Sequence, residues 1–353
     1  MGEKIAVAMS GGVDSSVAAL LLKKQGYDVV GIMFEPWSED ADSPQAHTIR
    51  ISQKDAEKIA NRLDIPFHLI DCKKQFEETV VQYFIDSYAR CITPNPCIVC
   101  NRLIKFGRLL EEAGNMGADR LATGHYVNLV KEKGSYHILK GDDPRKDQSY
   151  FLYRLNQDQL SRLVFPMGRY RKEEVRKIAK ENRLPVACKS ESQDICFIEG
   201  GDYRGFLHRC GKAADSRGPI VTSKGEVLGE HRGLTRYTVG QRRGLGISYR
   251  EPLYVLALRG DSNALVVGTA AERGKRSLSA TNLSFTSGKI PQSPIDIEVK
   301  VRYSAMGTKA KLMPLGRNLA RLEFERPIPD ITPGQSAVFY RNDRLLGGGI
   351  ILP

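Results

Sequence analysis

Along its first 125 residues the chain alternates short apolar runs with longer stretches of helical periodicity. Ile5–Met9 is an apolar run of strand length, and Ser15–Lys24 carries Val17, Leu20 and Leu21 at helical spacing before Gly26 ends it. Asp28–Phe34 reads as the next strand, Ser38–His47 as a polar loop, Ser52–Leu63 as a helix and Phe67–Ile70 as a strand. Helices are expected over Phe76–Tyr88 and, past a proline-rich turn, over Ile104–Met116. Arg120–Thr123 is again strand-like. Strands alternating with helices predict an α/β fold, a parallel sheet joined by right-handed crossovers.

After about residue 205 the texture changes. Helical periodicity fades, glycines become frequent, and short β-type runs appear at Pro219–Thr222, Leu253–Leu258 and Ala264–Gly268. The runs Ile295–Tyr303, Ala310–Met313, Ala320–Phe324, Ser336–Tyr340 and Gly349–Leu352 predict a small antiparallel barrel. The expected organisation is a catalytic domain over residues 1–205, a small β-rich domain over 206–275 and a barrel over 276–353.

Composition changes this picture little: 41% hydrophobic and 27% charged residues suit a globular chain. No apolar run approaches the ~20 residues needed to span a bilayer. Met1-Gly2-Glu3-Lys4 leads into a strand without the apolar core of a signal peptide, so a cytoplasmic location with no membrane partner is expected. Charge adds more. Residues 1–100 hold 10 Lys and Arg against 14 Asp and Glu, and the remainder holds 43 against 27. A basic excess confined to the later part fits a polyanionic partner larger than a nucleotide, although a solvated basic surface would read the same way.

Ser10-Gly11-Gly12-Val13-Asp14-Ser15-Ser16 joins the first strand to the first helix. The two glycines let the backbone turn tightly and approach a phosphate. The helix offers free N–H groups and its positive dipole end to the same place, which suits an anion. The lysine of a Walker A loop is absent, which argues against ordinary γ-phosphoryl chemistry. The pattern resembles the PP-loop of ATP pyrophosphatases, which adenylate a carbonyl oxygen and let a nucleophile displace AMP.

The chain has seven cysteines, and in a reducing compartment free, metal-binding or catalytic thiols are expected over disulfides. Cys97 and Cys100 follow two prolines and precede the helix at Ile104. A helix N-terminus lowers a thiol pKa, so thiolate is expected there. Cys196 lies in a polar segment near Lys189, which would favour thiolate if it pointed towards the sulfur. Cys72, Cys188 and Cys210 read as buried packing. Cys97-x-x-Cys100 is half of a zinc site without a second pair. Sulfur chemistry, with one cysteine carrying sulfur and another releasing it, fits best beside the nucleotide loop.

Several motifs in order complete a resemblance: Ser10–Ser16, Asn95-Pro96 with Cys100-Asn101, Lys105-Phe106, Gly124-His125-Tyr126, Lys146–Phe151, Ser192–Phe197 and Tyr237-Thr238 with Gly240-Gln241-Arg242. Together they resemble the tRNA-specific 2-thiouridylases of the MnmA type over essentially the whole chain. The resemblance implies an enzyme that uses ATP, with Mg2+, to adenylate the wobble uridine of tRNA and then replaces its O2 with sulfur. It implies ATP contacts at Ala8, Met9, Ser10, Gly11, Gly12, Val13, Asp14, Ser15, Met33 and Gly124. Cys196 would carry a persulfide from a sulfur-carrier protein, and Cys100 would be the nucleophile that frees the sulfur, leaving a transient Cys100–Cys196 disulfide. Asn95, Pro96 and Cys97 would lie beside the base, while Lys146, Asp147, Gln148, Arg302 and Tyr303 would touch tRNA. His125 and Gln335 match further site positions. tRNAs for Lys, Glu and Gln, and a monomeric enzyme, are expected.

Many members carry Asp where this chain has Cys97, which puts that acid–base role in doubt and makes His125 the substitute candidate. Cys97, Cys100 and Cys196 also resemble the ligand set of related thiolases that hold a [4Fe–4S] cluster on three cysteines. That is the alternative mechanism, ranked behind the persulfide route. Arg232, Arg236, Arg242, Arg243 and Arg250, interleaved with Tyr237 and Tyr249, suit phosphate contact and base stacking. A PP-loop ligase for a small molecule, or an RNA-binding protein with a vestigial loop, are the other function classes.

Overall fold

The computed structural model describes residues 2–190, 195–211, 216–316 and 318–353. Ser192, Gln193 and Asp194 of the second cysteine motif lie outside the described residues. The first domain is built on strands β1 (Lys4–Ala8), β2 (Asp28–Glu35), β3 (Phe67–Asp71), β4 (Arg120–Thr123) and the two-residue β7 (Leu163–Val164). They form one all-parallel sheet in the order β3-β2-β1-β4-β7.

Helices cover both faces, as a parallel sheet requires. Helices α1 (Val13–Lys24), α2 (Pro44–Leu63) and α5 (Lys172–Glu181) bury Val17, Ala60 and Val175 on one side. Helices α3 (residues 73–89) and α4 (residues 96–115) lie on the other side, where Phe106 and Leu109 pack on the sheet.

Two helices start earlier than their periodicity suggests. Helix α2 begins at Pro44 rather than Ser52, because the Ser43 hydroxyl accepts from the Ala46 N–H and Pro44 takes the first helical position. Ser38–His47 is therefore not all loop. Helix α4 begins at Pro96 with proline again at the first position, so Cys97 and Cys100 lie in its first turns rather than ahead of it. Its middle, Asn101–Arg108, is π-helical.

Between β4 and β7 a hairpin of β5 (Val127–Glu132) and β6 (Ser135–Lys140) leaves the parallel sheet. Strands β8 (Gly218–Thr222), β9 (Val227–His231), β10 (Tyr254–Arg259) and β11 (Ala264–Gly268) form a separate small sheet, order β10-β11-β8-β9, around Ile220, Val255 and Leu265. The last domain is a closed six-stranded antiparallel barrel. Strands β12 (Gly274–Phe285), β13 (Ile295–Lys300), β14 (Thr308–Pro314), β15 (Leu319–Pro329), β16 (Ser336–Arg341) and β17 (Arg344–Ile351) run in the order β12-β15-β14-β13-β16-β17, and β17 returns to β12. Closure leaves no free edge along the ring.

The barrel is bonded to the first domain. Strand β17 pairs with β6 at Arg344 and Leu139. Val338, Tyr340 and Leu345 share a core with Phe106, Tyr150 and Tyr153. The Tyr150 hydroxyl donates to the Ser336 carbonyl at 2.9 Å, and the Tyr153 hydroxyl lies 3.1 Å from the Ser336 hydroxyl. Burying each of these tyrosine rings is worth about 1.5–3 kcal/mol, so the two domains meet in a packed core.

Candidate active site

The loop after β1 is shaped by its glycines. Gly11 adopts φ +65°, and a Cβ there would fall 2.2 Å from the Ser52 carbonyl oxygen of α2. A Cβ on Gly124, just past β4, would fall 2.8 Å from the Ser15 nitrogen. Only glycine lets α2 and the end of β4 close on the loop from both sides. Gly12 caps α1 without a side-chain hydrogen bond, which leaves the helix N–H groups to face an anion. The Ser15 hydroxyl donates to the Gly12 carbonyl and accepts from the Ser10 N–H at 3.1 Å, fixing the turn. Ala8 ends β1, Met9 donates its N–H to the Ile32 carbonyl at 2.8 Å, and Val13 opens α1. Buried Met33 follows Ile32 on the neighbouring strand.

Two lysines distant in sequence brace this loop. The Lys172 ammonium, at the start of α5, donates to both carboxylate oxygens of Asp14 at 2.7 and 2.8 Å. The Tyr126 hydroxyl donates to the same carboxylate at 2.6 Å. Lys189 Nζ donates to the Gly11 carbonyl at 3.0 Å and to Asp55 Oδ2 at 2.8 Å. Lys189 therefore serves the nucleotide loop rather than Cys196, contrary to the expectation from its place in sequence.

The cysteines are gathered by an aromatic cluster. Cys100 is buried among Phe76, Phe84, Ile104 and Phe197, while Cys97 and Cys196 keep a face open to solvent. Phe197, next to Cys196, sets its ring edge-on to Phe76 at 5.7 Å, Phe84 at 5.4 Å and Phe206 at 5.7 Å. This anchors residue 197 to α3, in the same cluster that holds Cys100 and Ile104 of α4. The three thiols sense one another electrostatically and are all free.

The expected thiolates are not favoured here. Although Cys97 and Cys196 keep an open face, the protein packed around their sulfurs raises both, Cys196 to about 12, as full burial raises Cys100, and this outweighs the downward pull of Lys105 on all three. Lys105, rather than Lys189, is the cation that faces the thiols. It lies five residues past Cys100, and the i→i+5 bonding of the π-helical stretch brings residues at that spacing onto one face. Among the described residues no three His, Cys, Asp or Glu side chains converge to hold a metal ion. The trio does not form a cluster site in this arrangement.

His125 bridges the two halves. Its Nδ1 lies 2.8 Å from the Thr123 hydroxyl and its ring packs on Phe106 at 5.6 Å. Burial, aided by Lys105, holds its pKa well below the usual imidazole range, so the ring is neutral at pH 7. Gly124 and His125 are consecutive, and they touch the nucleotide loop on one side and the cysteine helix on the other.

The barrel reaches the same place. Gln335 Nε2 donates to the carbonyls of Thr93 at 3.1 Å and Pro94 at 3.0 Å, just ahead of Asn95, Pro96 and Cys97. A Cβ on Gly334 would fall 2.0 Å from Ile92 Cγ2. Arg302 pairs with Asp330 at 3.5 Å, and Tyr303 sets its exposed ring 4.6 Å from Phe151. Lys146 and Gln148 flank Asp147, which is buried and accepts from the Ser149 N–H and hydroxyl at 3.1 and 2.9 Å. Gln148 Oε1 accepts from the Tyr126 N–H at 3.1 Å. Asp147 thus shapes the turn from within.

The chain matches family models along its length. They are a tRNA methyl transferase HUP domain over residues 3–200, a tRNA methyl transferase PRC-barrel domain over 204–269 and an aminomethyltransferase beta-barrel domain over 275–351. The tRNA-specific 2-thiouridylase MnmA of Moorella thermoacetica is 46% identical over 351 residues, 98% of each chain. The chain belongs to the MnmA family of tRNA-specific 2-thiouridylases. The MnmA 2-thiouridylase of Syntrophotalea carbinolica is also 46% identical, over 349 residues and 98% of each chain. Among solved structures, the U34-tRNA thiolase NcsA from Methanococcus maripaludis with its [4Fe-4S] cluster is 18% identical, with a TM-score of 0.35, over 54% of this chain and 59% of that one. That likeness is too slight to carry the cluster over to an MnmA chain.

Two smaller expectations change. Tyr237 is buried in the core of the small sheet and is closed to base stacking, whereas Tyr249 is half-buried beside Arg250. Cys188 is exposed and Cys210 half-buried, so only Cys72 is sealed packing. No helix among the described residues is long and apolar enough to cross a membrane. Sequence reasoning missed Lys172 and gave Lys105 no role. Lys105 stood inside a quoted motif, but Lys172 begins a helix whose charge pattern is ordinary.

Proposed function

We propose that the chain 2-thiolates the wobble uridine of tRNA, activating the base with ATP and drawing sulfur from a cysteine persulfide. The observation that carries this reading is the contact of Gly124 with the nucleotide loop and of the adjacent His125 with the cysteine helix. A base adenylated at one half has its C2 within reach of the other.

The uridine O2 attacks the α-phosphorus of ATP and pyrophosphate leaves. The terminal sulfur of a Cys196 persulfide then bonds to C2. Cys100, a buried thiol that passes its proton on through His125 as it reacts, attacks Cys196 Sγ and breaks the persulfide S–S bond, leaving sulfur on the base. AMP departs with O2 as the C=S bond forms. The Cys100–Cys196 disulfide is reopened by a dithiol, which supplies the two electrons that convert persulfide sulfur to thiocarbonyl. Mg2+ would travel on the phosphates, since Asp14 of the loop and Asp55 of α2 are each held by a lysine.

In this reading Asn95, Pro96, Cys97, His125 and Gln335 surround the target base. Lys146 and Gln148 with Arg302 and Tyr303 form the tRNA-facing rim, with buried Asp147 holding the turn beneath them rather than touching tRNA, and tRNAs for Lys, Glu and Gln are the substrates. A sulfur-carrier protein loads Cys196, whose open face would admit it. Neutral His125 stands where it could relay a proton in the absence of an acid at position 97.

Pyrophosphate and AMP release, followed with and without unmodified tRNA, tests the assignment. Release should require tRNA, and Cys100→Ala should form no 2-thiouridine. Thiolation unchanged by Cys100→Ala would overturn it.

A further inference from the structure

The nucleotide loop lacks a cation of its own. Glycines and helix N–H groups stabilise an anion through partial charges, and P-loop enzymes add a lysine from within the loop. Ser10–Ser16 contains none. Two lysines reach it from elsewhere, and they differ. Lys172 is 10% exposed and gives two of its donors to the Asp14 carboxylate, so it is held against the loop's own acid. Lys189 is 33% exposed, and of its three N–H donors one goes to the Gly11 carbonyl and one to Asp55. Among the described residues nothing takes the third, which is left for a ligand at the loop.

The two sides of the loop assign the phosphate. Gly124 closes on it at Asp14 and Ser15, the side that leads through His125 to the thiols and so to the base. Lys189 meets it at Gly11, on the side packed against Ser52 of α2. A triphosphate with its α-phosphorus turned towards the base directs its distal phosphates to the Gly11 side.

We propose that Lys189 is the phosphate-binding cation of this site, contacting the β- and γ-phosphates that leave as pyrophosphate, with Asp55 as its positioning residue. The assignment rests on the ATP-using function above. It also sets the residue that grips pyrophosphate seven positions before the cysteine that carries sulfur, so one segment serves both half-reactions.

The test is calorimetric binding of ATP and of AMP to the full chain and to Lys189→Met, Lys189→Arg and Asp55→Asn. Lys189→Met should weaken ATP about 10- to 100-fold, the worth of a charge-assisted hydrogen bond, and leave AMP within about twofold. Lys189→Arg, which keeps the charge should the Met variant fold poorly, should retain most of the ATP affinity. Asp55→Asn should weaken ATP several-fold and spare AMP. Equal losses for ATP and AMP would make Lys189 a structural brace and overturn the proposal, as would unchanged ATP binding in Lys189→Met. Wild-type protein that bound neither nucleotide would instead contradict the ATP-using function itself, a result distinct from any difference among variants.

Discussion

Gln335 Nε2 lies 3.0 Å from the Pro94 carbonyl, so a residue of the C-terminal barrel fixes the start of the helix that carries Cys97 and Cys100. Two acceptor carbonyls at one nitrogen also settle which end of the amide points inward. Gln335→Ala removes both bonds, worth about 0.5–1.5 kcal/mol each. Thiolation turnover should fall about tenfold while ATP affinity stays within twofold. Gln335→Glu would set a carboxylate against two carbonyls and should be worse than alanine. Parallel turnover and nucleotide-binding assays check both statements.

Asp14 is held by Lys172 and Tyr126 together. Lys172→Met leaves a partly buried carboxylate with one neutral partner and should cost about 1–3 kcal/mol of stability. Lys172→Met with Asp14→Asn removes the stranded charge and should recover part of that loss. Thermal melts of the two variants decide; a double variant no more stable than the single would contradict the pairing.

Phe197 is fully buried between Phe76, Phe84 and Phe206. Phe197→Ala should destabilise by about 3–5 kcal/mol, the usual penalty for emptying an aromatic core site. It should also release Cys196 from the Cys100 helix, so sulfur transfer should fall further than ATP binding. A melt unchanged from wild type would contradict the anchoring role.

The Cys196 thiol, pushed up to about 12 by burial, is protonated at neutral pH in the absence of substrate. The fold favours the neutral form, so that contribution to stability is complete below the unfolded thiol value of about 8.5 and is lost as pH rises towards the folded one. Alkylation of Cys196 should therefore keep climbing from pH 7 through pH 9. A plateau near pH 8.5 in the alkylation rate would contradict it.

How much of this was legible in the sequence depends on range. The loop Ser10–Ser16 is local: strand, glycines and helix are contiguous, and the fold class followed from the same alternation. The early start of α2 was hidden because Gln45 and Ala46 are buried while His47, Thr48, Arg50 and Ile51 give no clean stripe. The hairpin β5–β6 was missed because its strands leave the parallel sheet for the barrel, a long-range pairing. Lys189 was assigned to the wrong partner because seven residues in sequence say nothing about the direction of a lysine side chain. Tyr237 was taken for a surface ring because an arginine-rich neighbourhood does not reveal which aromatic turns inward. The expectation of thiolates failed for a related reason: a helix N-terminus favours the anion, but burial, which only the fold shows, opposes it more strongly.

The most direct test of the central claim is formation of 2-thiouridine in unmodified tRNA by iron-free protein given ATP, a persulfide donor and a dithiol. One AMP and one pyrophosphate should appear per thiolated base, Cys100→Ala and Cys196→Ala should give no product, and Cys97→Asp should remain active. Thiolation that appears only when iron and inorganic sulfide are bound, and that Cys97→Asp abolishes, would contradict it.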